Sequence, residues 1–356
     1  MKLIHTADLH LGSKIESKFP ASKSKQRRAE LRDSFSRLIE RGKELGAEAI
    51  LIAGDAFDTA PATPEDFAFF FDAVRANPDL VFLLLHGNHD AGVPFPQNIP
   101  NLVTFGDAWT VWEKDGVAVS GIEMTRGNCA SLYDSFSPVP GKVNIVTLHG
   151  GIGSSPAVGT VVLSRLADRG IDYLALGDYH GLKQEKLGTQ GMWAYPGCPE
   201  GRGFDEPGEK GFLLLTIENG TVKTDFIPHA SRTLRVIDCD VSAASGEYEA
   251  IETARDLISS VDPKDPIRLN LIGAVSFDRT DLAHNAETRL NDERKHYFVS
   301  VKDKTHVALD LEEIKREVSL RGEFLNLLDQ NGDLSDEDKS AILELGLRAL
   351  TGQDLT

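Results

Sequence analysis

Five short apolar runs in this chain each lead into residues that bind metals, and that recurrence constrains the fold more than any other feature. The runs are Leu3–Ala7, Ala49–Ala53, Val81–Leu85, Val143–Leu148 and Tyr173–Leu176. They lead to Asp8 and His10 (ADLH), Asp55 (GDAFD), Asn88 and His89 (GNHD), His149 (LHG), and Asp178 and His180 (GDYH). Runs of this length read as buried strands. In open α/β sheets ligands bind outside the carboxyl ends of the strands, so clusters scattered along the chain are expected to meet at one sheet edge.

The residue types point to a pair of divalent cations. Two such ions about 3.5–4 Å apart can bind both the attacking and the leaving oxygens of a phosphoryl displacement and lower the pKa of bound water. They need oxygen and imidazole donors rather than thiolates. One carboxylate must touch both ions, and Asp55, at the central strand end, is the natural bridge. The Asn88 amide adds a ligand without adding charge. His89 follows immediately and can face the scissile phosphate, where an imidazole with its ordinary pKa suits a general acid.

The motifs DxH, GDxxD, GNH(D), a lone His-Gly and a final GxxH resemble the calcineurin-like metallophosphoesterase superfamily. Three longer stretches resemble its SbcD-type branch of DNA repair nucleases: HTADLHLG at 5–12, YLALGDYH at 173–180 and YPGCPEGRGFDEPGEKGF at 195–212. The resemblance spans residues 1–240 through specific motifs. It implies that Asp8, His10, Asp55 and His180 hold a first metal, that Asp55, Asn88, His149 and Asp178 hold a second, and that His89 protonates the leaving group. Manganese is the implied metal, with magnesium or iron as alternatives. The implied activity is phosphodiester hydrolysis in DNA by an exo- or endonuclease. An SbcC-like coiled-coil ATPase subunit and a homodimer are the implied partners. The chain departs from the family pattern at Asp178, where a histidine is usual. An aspartate there either ligates the second metal or orients His149 or His180. Asp58 and Asp90 read as supporting or loop-capping carboxylates, and His86 has no evident role.

Composition sets the frame. With 356 residues, 41% apolar and 26% charged, the chain reads as a globular protein of two or three units. No segment approaches the ~20 apolar residues of a membrane span. Cys129, Cys198 and Cys239 show no disulfide or zinc spacing, so a reducing cytoplasm is the expected home. The net charge of −17 runs against a nucleic-acid partner. Residues 14–28 reverse that trend with Lys14, Lys18, Lys23, Lys25, Arg27 and Arg28, read here as a loop that contacts phosphates.

The expected fold is α/β: a two-sheet α/β/β/α sandwich over 1–231, a small α/β capping domain over 232–308 and a helical tail over 309–356. Leu31, Phe35, Leu38, Ile39 and Leu45 recur at helical spacing. Thr63-Pro64 opens a second helix, and Asn219-Gly220 reads as a hairpin turn. Residues 247–260 predict a further helix. Asp310 is expected to cap a tail helix carrying Ile314 to Leu328, and Ser335 with Asp338 to cap another. The intervening DQNGDLSDEDKS lacks the glycine and glutamate of a calcium loop, with Leu334 and Ser340 in their places. Two other functions remain open: a phosphodiesterase or phosphatase acting on nucleotides or other small phosphoesters, and a non-catalytic subunit in which Asp178 has disabled the site.

Overall fold

The computed structural model describes residues 1–15, 19–60, 62–308, 311–316, 318–331 and 335–350. Lys18, Asp310 and Leu334 lie outside them. Two compact units form, Met1–Val236 with Lys264–Pro266, and Ile237–Pro263 with Ile267–Thr356.

The first unit runs β1 (Lys2–Thr6), α1 (Ala21–Leu45), β2 (Ala49–Ala53), α2 (Pro64–Arg75), β3 (Val81–Leu85) and β4 (Leu102–Thr104). It continues with β5 (Thr110–Lys114), β6 (Val117–Gly121), α3 (Leu132–Ser135), β7 (Val143–His149), β8 (Gly151–Ile152) and β9 (Thr160–Val161). It closes with β10 (Tyr173–Gly177), β11 (Lys183–Leu187), β12 (Gly191–Tyr195), β13 (Gly211–Glu218) and β14 (Thr221–Pro228). Two six-stranded sheets result, ordered β14-β13-β1-β2-β3-β4 and β11-β12-β10-β7-β6-β5. Strands β1 to β4 are mutually parallel, as are β6, β7, β10 and β12.

The side chains explain the layering. Leu3, Leu51 and Leu83 of one sheet share a core with Val119, Ile145 and Tyr173 of the other, so the sheets pack face to face. Helices α1 and α2 cover the first sheet's outer face. Phe35 stacks on Phe70 with centroids 4.7 Å apart, and a Cβ at Gly42 would lie 3.0 Å from Ile4 Cδ1. Over the second sheet lie Leu132, Tyr133 and Leu166, from the short α3 and its neighbouring turns. The expected two-sheet sandwich is what forms. Local signals agree: the Thr63 N–H donates to the Asp66 carboxylate at the start of α2 (2.9 Å). Asn219 and Gly220 both take positive φ in the β13–β14 turn (50° and 76°).

One expectation is corrected here. Residues 21–28 are the opening turns of α1 and not a loop. Arg27 is fully buried there, donating to Glu200 Oε1 (2.8 Å) and the Gly201 carbonyl (2.6 Å) and paired with Glu30. It is therefore closed to a phosphate; Lys14, Lys25 and Arg28 are exposed and Lys23 is half-buried. Removing one partner of a buried pair strands the other charge, at a cost of about 3–5 kcal/mol. Arg27→Met is expected to lower the denaturant midpoint accordingly, while Lys25→Met leaves it unchanged.

In the second unit β15 (Arg235–Asp240), β16 (Pro266–Ile272) and β18 (Phe298–Asp303) form a three-stranded sheet. Helices α4 (Glu247–Ile258) and α5 (Leu282–Asp292) pack on it through Ile251, Ala286, Leu269 and Val299. The short β17 (Ala274–Val275) and β19 (His306–Val307) pair beside them. The tail holds α6 (Leu311–Arg316), α7 (Leu320–Gln330) and α8 (Asp336–Leu350). The single helix expected from Ile314 to Leu328 is thus two. Ser319 interrupts it, its hydroxyl accepting from the Gly322 N–H (3.2 Å) to cap α7. Ser335 caps α8 in the same way, accepting from the Asp338 N–H (3.1 Å).

Candidate metal centre

The five carboxyl strand ends deliver their side chains to one place. Asp8 follows β1, Asp55 follows β2, Asn88 and His89 follow β3, His149 ends β7, and Asp178 and His180 follow β10. The backbone is bent hard to achieve this. Asp8, His10, Asp55 and Asp178 all take positive φ (57°, 46°, 53° and 106°). Such conformations cost on the order of 1–3 kcal/mol each and concentrate at functional sites. The motif glycines make room. A Cβ at Gly87 would lie 2.0 Å from Asp55 Oδ1, and one at Gly54 (φ 96°) would lie 2.2 Å from His149 Nδ1. Gly87→Ala is accordingly expected to displace Asp55 and abolish turnover while leaving the unfolding midpoint within a few degrees, checked by calorimetry beside an activity assay.

Two donor sets share Asp55. In the first, His10 Nε2 lies 3.2 Å from His180 Nε2 and 3.8 Å from Asp55 Oδ2, and His180 Nε2 lies 4.0 Å from Asp8 Oδ1. In the second, His149 Nε2 lies 3.0 Å from Asn88 Oδ1, 3.4 Å from Asp55 Oδ2 and 4.0 Å from Asp178 Oδ1. Metal–ligand bonds of about 2.1 Å in octahedral geometry set adjacent donors about 3 Å apart and opposite ones about 4.2 Å apart. Both sets fall within that window.

The chemistry of the donors fits cations as well. His149 Nδ1 donates to the Ala53 carbonyl (2.8 Å), which turns the Nε2 lone pair toward the oxygens of Asn88 and Asp55. Three acceptors converge there, and only a proton or a cation can hold them together. His180 is oriented likewise: Nδ1 donates to Glu206 Oε1 (2.9 Å), and Arg202 in turn donates to that oxygen (2.8 Å). Lys210 donates to the His180 carbonyl (2.7 Å). Glu206, Arg202 and Lys210 all belong to the 195–212 stretch, whose motif gave no hint of this role. Glu206→Gln is expected to weaken binding of one manganese ion by about 10–100-fold, read by calorimetry.

Protonation reflects the same crowding. Burial raises the Asp8 carboxyl to about 7 against the pull of His149 and His180. For His149, burial would lower the pKa, but the hydrogen bond to Asp55 and the charge of Asp8 outweigh it and push it up to about 9. Burial lowers His10 to about 4. Because the folded His149 value lies above its unfolded one, its proton stabilises the metal-free chain below about pH 6.5, and that stability is lost as pH rises through about 9. Metals must displace this proton. Manganese affinity is therefore expected to climb between about pH 7 and 9, with proton release visible when calorimetry is repeated in two buffers of different ionisation enthalpy.

The remaining polar residues hold the site in shape. Asp90 caps the loops, accepting from the Gly87 and Ala56 N–H groups (both 2.7 Å). His86 pairs with Glu123 and donates to the Val93 carbonyl (2.8 Å), pinning the loop that carries Phe95. Asp58 accepts from His89 Nδ1 (2.6 Å), and His89 N–H donates to Asp55 Oδ1 (2.8 Å). His89 itself sits at the lip, its side chain 46% exposed. His10, Asp58 and His89 also lie within metal-ligand range of one another, but the direct Asp58–His89 hydrogen bond occupies that gap.

A two-sheet sandwich whose strand ends converge on paired oxygen and imidazole donors defines a metallophosphoesterase. The chain belongs to the calcineurin-like phosphoesterase family, whose model matches residues 1–186. It is similar to the uncharacterized metallophosphoesterase YhaO of Bacillus subtilis, 24% identical over 294 residues, covering 76% of this chain and 71% of the relative. It is also similar to the DNA double-strand break repair protein Mre11 of Methanosarcina acetivorans, 23% identical over 293 residues, covering 77% of this chain and 46% of the relative. Among solved structures, TT1561 of Thermus thermophilus aligns with a TM-score of 0.39 at 16% identity, over 63% of this chain and 98% of that one. As a family member the chain is a hydrolase of phosphoesters, and the family works with divalent metals. Among the described residues no helix is long and apolar enough to cross a membrane.

Proposed function

We propose that this chain is a manganese-dependent phosphodiesterase acting on DNA. The observation that carries the reading is the Asp58–His89 pair at the mouth of the metal centre, an oriented acid beside two donor sets that share Asp55. Asp8, His10, Asp55 and His180 would hold one cation, and Asp55, Asn88, His149 and Asp178 the other. The cations, when bound, supply positive charge to the phosphoryl oxygens and lower the pKa of water. His89 would present its Nε2 proton to the departing oxygen, with Asp58 fixing the tautomer through Nδ1. Asp55 holds the His89 backbone through its Oδ1 and so ties acid and metals to one frame. The repair role of the Mre11 relative and the SbcD-like stretches support DNA as substrate.

A second reading, hydrolysis of nucleotides or other small phosphoesters, gains from the net charge of −17 and the burial of Arg27. The test is cleavage of labelled single- and double-stranded DNA beside bis-p-nitrophenyl phosphate in saturating manganese. Cutting of DNA upholds the proposal; cleavage of the small diester alone moves the second reading ahead.

Asp178 supports a catalytic over a non-catalytic role. Its Oδ1 lies 4.0 Å from His149 Nε2, the reach a second-metal ligand needs. Asp178→His should keep two metals bound, and Asp178→Ala should lose one. We further place the chain in the cytoplasm, as a homodimer that joins an SbcC-like ATPase. The exposed Leu320, Leu327 and Leu345 of the tail support such a partner contact, which co-elution of the purified proteins would test.

A further inference from the structure

Beside the metal centre stands an aromatic surface that the hydrolytic reading leaves unused. Tyr179 lies between Asp178 and His180, yet its side chain is turned outward and 53% exposed. It is braced from behind. Its ring meets Tyr195 edge-on with centroids 5.7 Å apart, and the Tyr195 hydroxyl donates to the Gly150 carbonyl (2.6 Å). Gly181 packs under the same ring, for a Cβ there would lie 2.8 Å from Tyr179 Cε1. Among the described residues the Tyr179 hydroxyl has no hydrogen-bond partner. Leu182 follows in sequence and is 43% exposed. A Cβ on Gly151 would lie 3.4 Å from Asp178 Oδ2, and the next residue, Ile152, is also 43% exposed. An exposed aromatic ring braced by Tyr195, one residue from each metal set, has no use in a site that handles only a charged phosphate.

From this we infer that Tyr179 is a stacking platform for a nucleobase next to the scissile phosphate, and so a specificity-determining residue. The inference rests on the nucleic-acid reading above and deepens it. Every base has a π-face, so stacking gives grip without sequence preference and without positive charge. That matters for a chain of net charge −17 whose Arg27 is buried in the core. It also favours single strands or frayed ends, whose bases are free to leave the helical stack.

The test compares wild type, Tyr179→Ala and Tyr179→Phe on labelled oligothymidylate and on the same oligonucleotide with one abasic nucleotide at the cleaved position. Wild type is expected to prefer the intact strand by about tenfold in kcat/KM. Tyr179→Ala should lose that preference by slowing on the intact strand alone, and Tyr179→Phe should retain it. Binding to metal-free protein, read by fluorescence anisotropy, should show the same ranking. A wild type that cuts both strands equally overturns the inference while the nuclease reading stands. An equal drop on both substrates in Tyr179→Ala assigns the ring a merely structural role and also overturns it. A wild type that cuts no oligonucleotide but cleaves bis-p-nitrophenyl phosphate overturns the nucleic-acid reading and the inference together.

Discussion

Asp55→Asn is expected to lose at least about 10³-fold in turnover of bis-p-nitrophenyl phosphate, because the change strikes both metals at once. Asp55 Oδ2 lies 3.8 Å from His10 Nε2 and 3.4 Å from His149 Nε2, which places one oxygen between the two imidazole sets. Its second oxygen anchors the His89 N–H at 2.8 Å. Asparagine keeps the volume but removes the negative charge that offsets two cations, and it can offer only one acceptor oxygen. The fold should survive, since Asp55 binds few groups beyond the site. Steady-state kinetics across a manganese titration checks this: the loss should persist at any metal concentration. Recovery of wild-type turnover at high manganese would show that Asp55 serves one metal alone.

His89→Ala is the second large effect, with a different signature. General acid catalysis is worth about 10²–10⁴-fold, so turnover should fall within that range while both metals stay bound. His89 contributes its backbone N–H to Asp55, and alanine keeps that contact. Asp58 gives the finer test. Its carboxyl is held well below the usual range; burial opposes this, and the nearby His10 imidazole (3.6 Å), Ser13 and the Arg202 charge outweigh it. Asp58→Asn should cost less than His89→Ala, and the two together no more than His89→Ala alone, because both act on one proton. The double-mutant cycle, measured on a substrate with a poor leaving group, separates this from two independent contributions.

The residues explain what could be read early. Strands β2 and β3 are short, wholly apolar and bounded by Gly-Asp and Gly-Asn, so their limits and their terminal ligands were legible together. Periodicity also gave α1 and α2, since Leu31, Phe35 and Phe70 face a sheet. The edge strands β5 and β11 of the second sheet were not legible. Strand β11 reads KQEKL and β5 reads TVWEK, because one side of each meets solvent and the apolar signal thins. Helix α5 was missed for a related reason: LAHNAETRLND has only Leu282, Ala286 and Leu290 to mark its buried face. Arg27 shows the opposite error. A cation within a basic run reads as solvated, and only the tertiary partners Glu200 and Gly201, far along the chain, reveal a buried ion pair. The supports of His180 were hidden in the same way, because nothing local marks Glu206 as the acceptor of an imidazole 26 residues earlier.

The central claim is that strand ends dispersed along the sequence build one pair of metal sites around Asp55. Diffraction from manganese-soaked crystals, recorded at the manganese absorption edge, tests it most directly. The account predicts two anomalous peaks about 3.5–4 Å apart on either side of Asp55 Oδ2. One should be bordered by Asp8, His10 and His180 and the other by Asn88, His149 and Asp178. A single peak, or a second one lodged between Asp58 and His89, would contradict it.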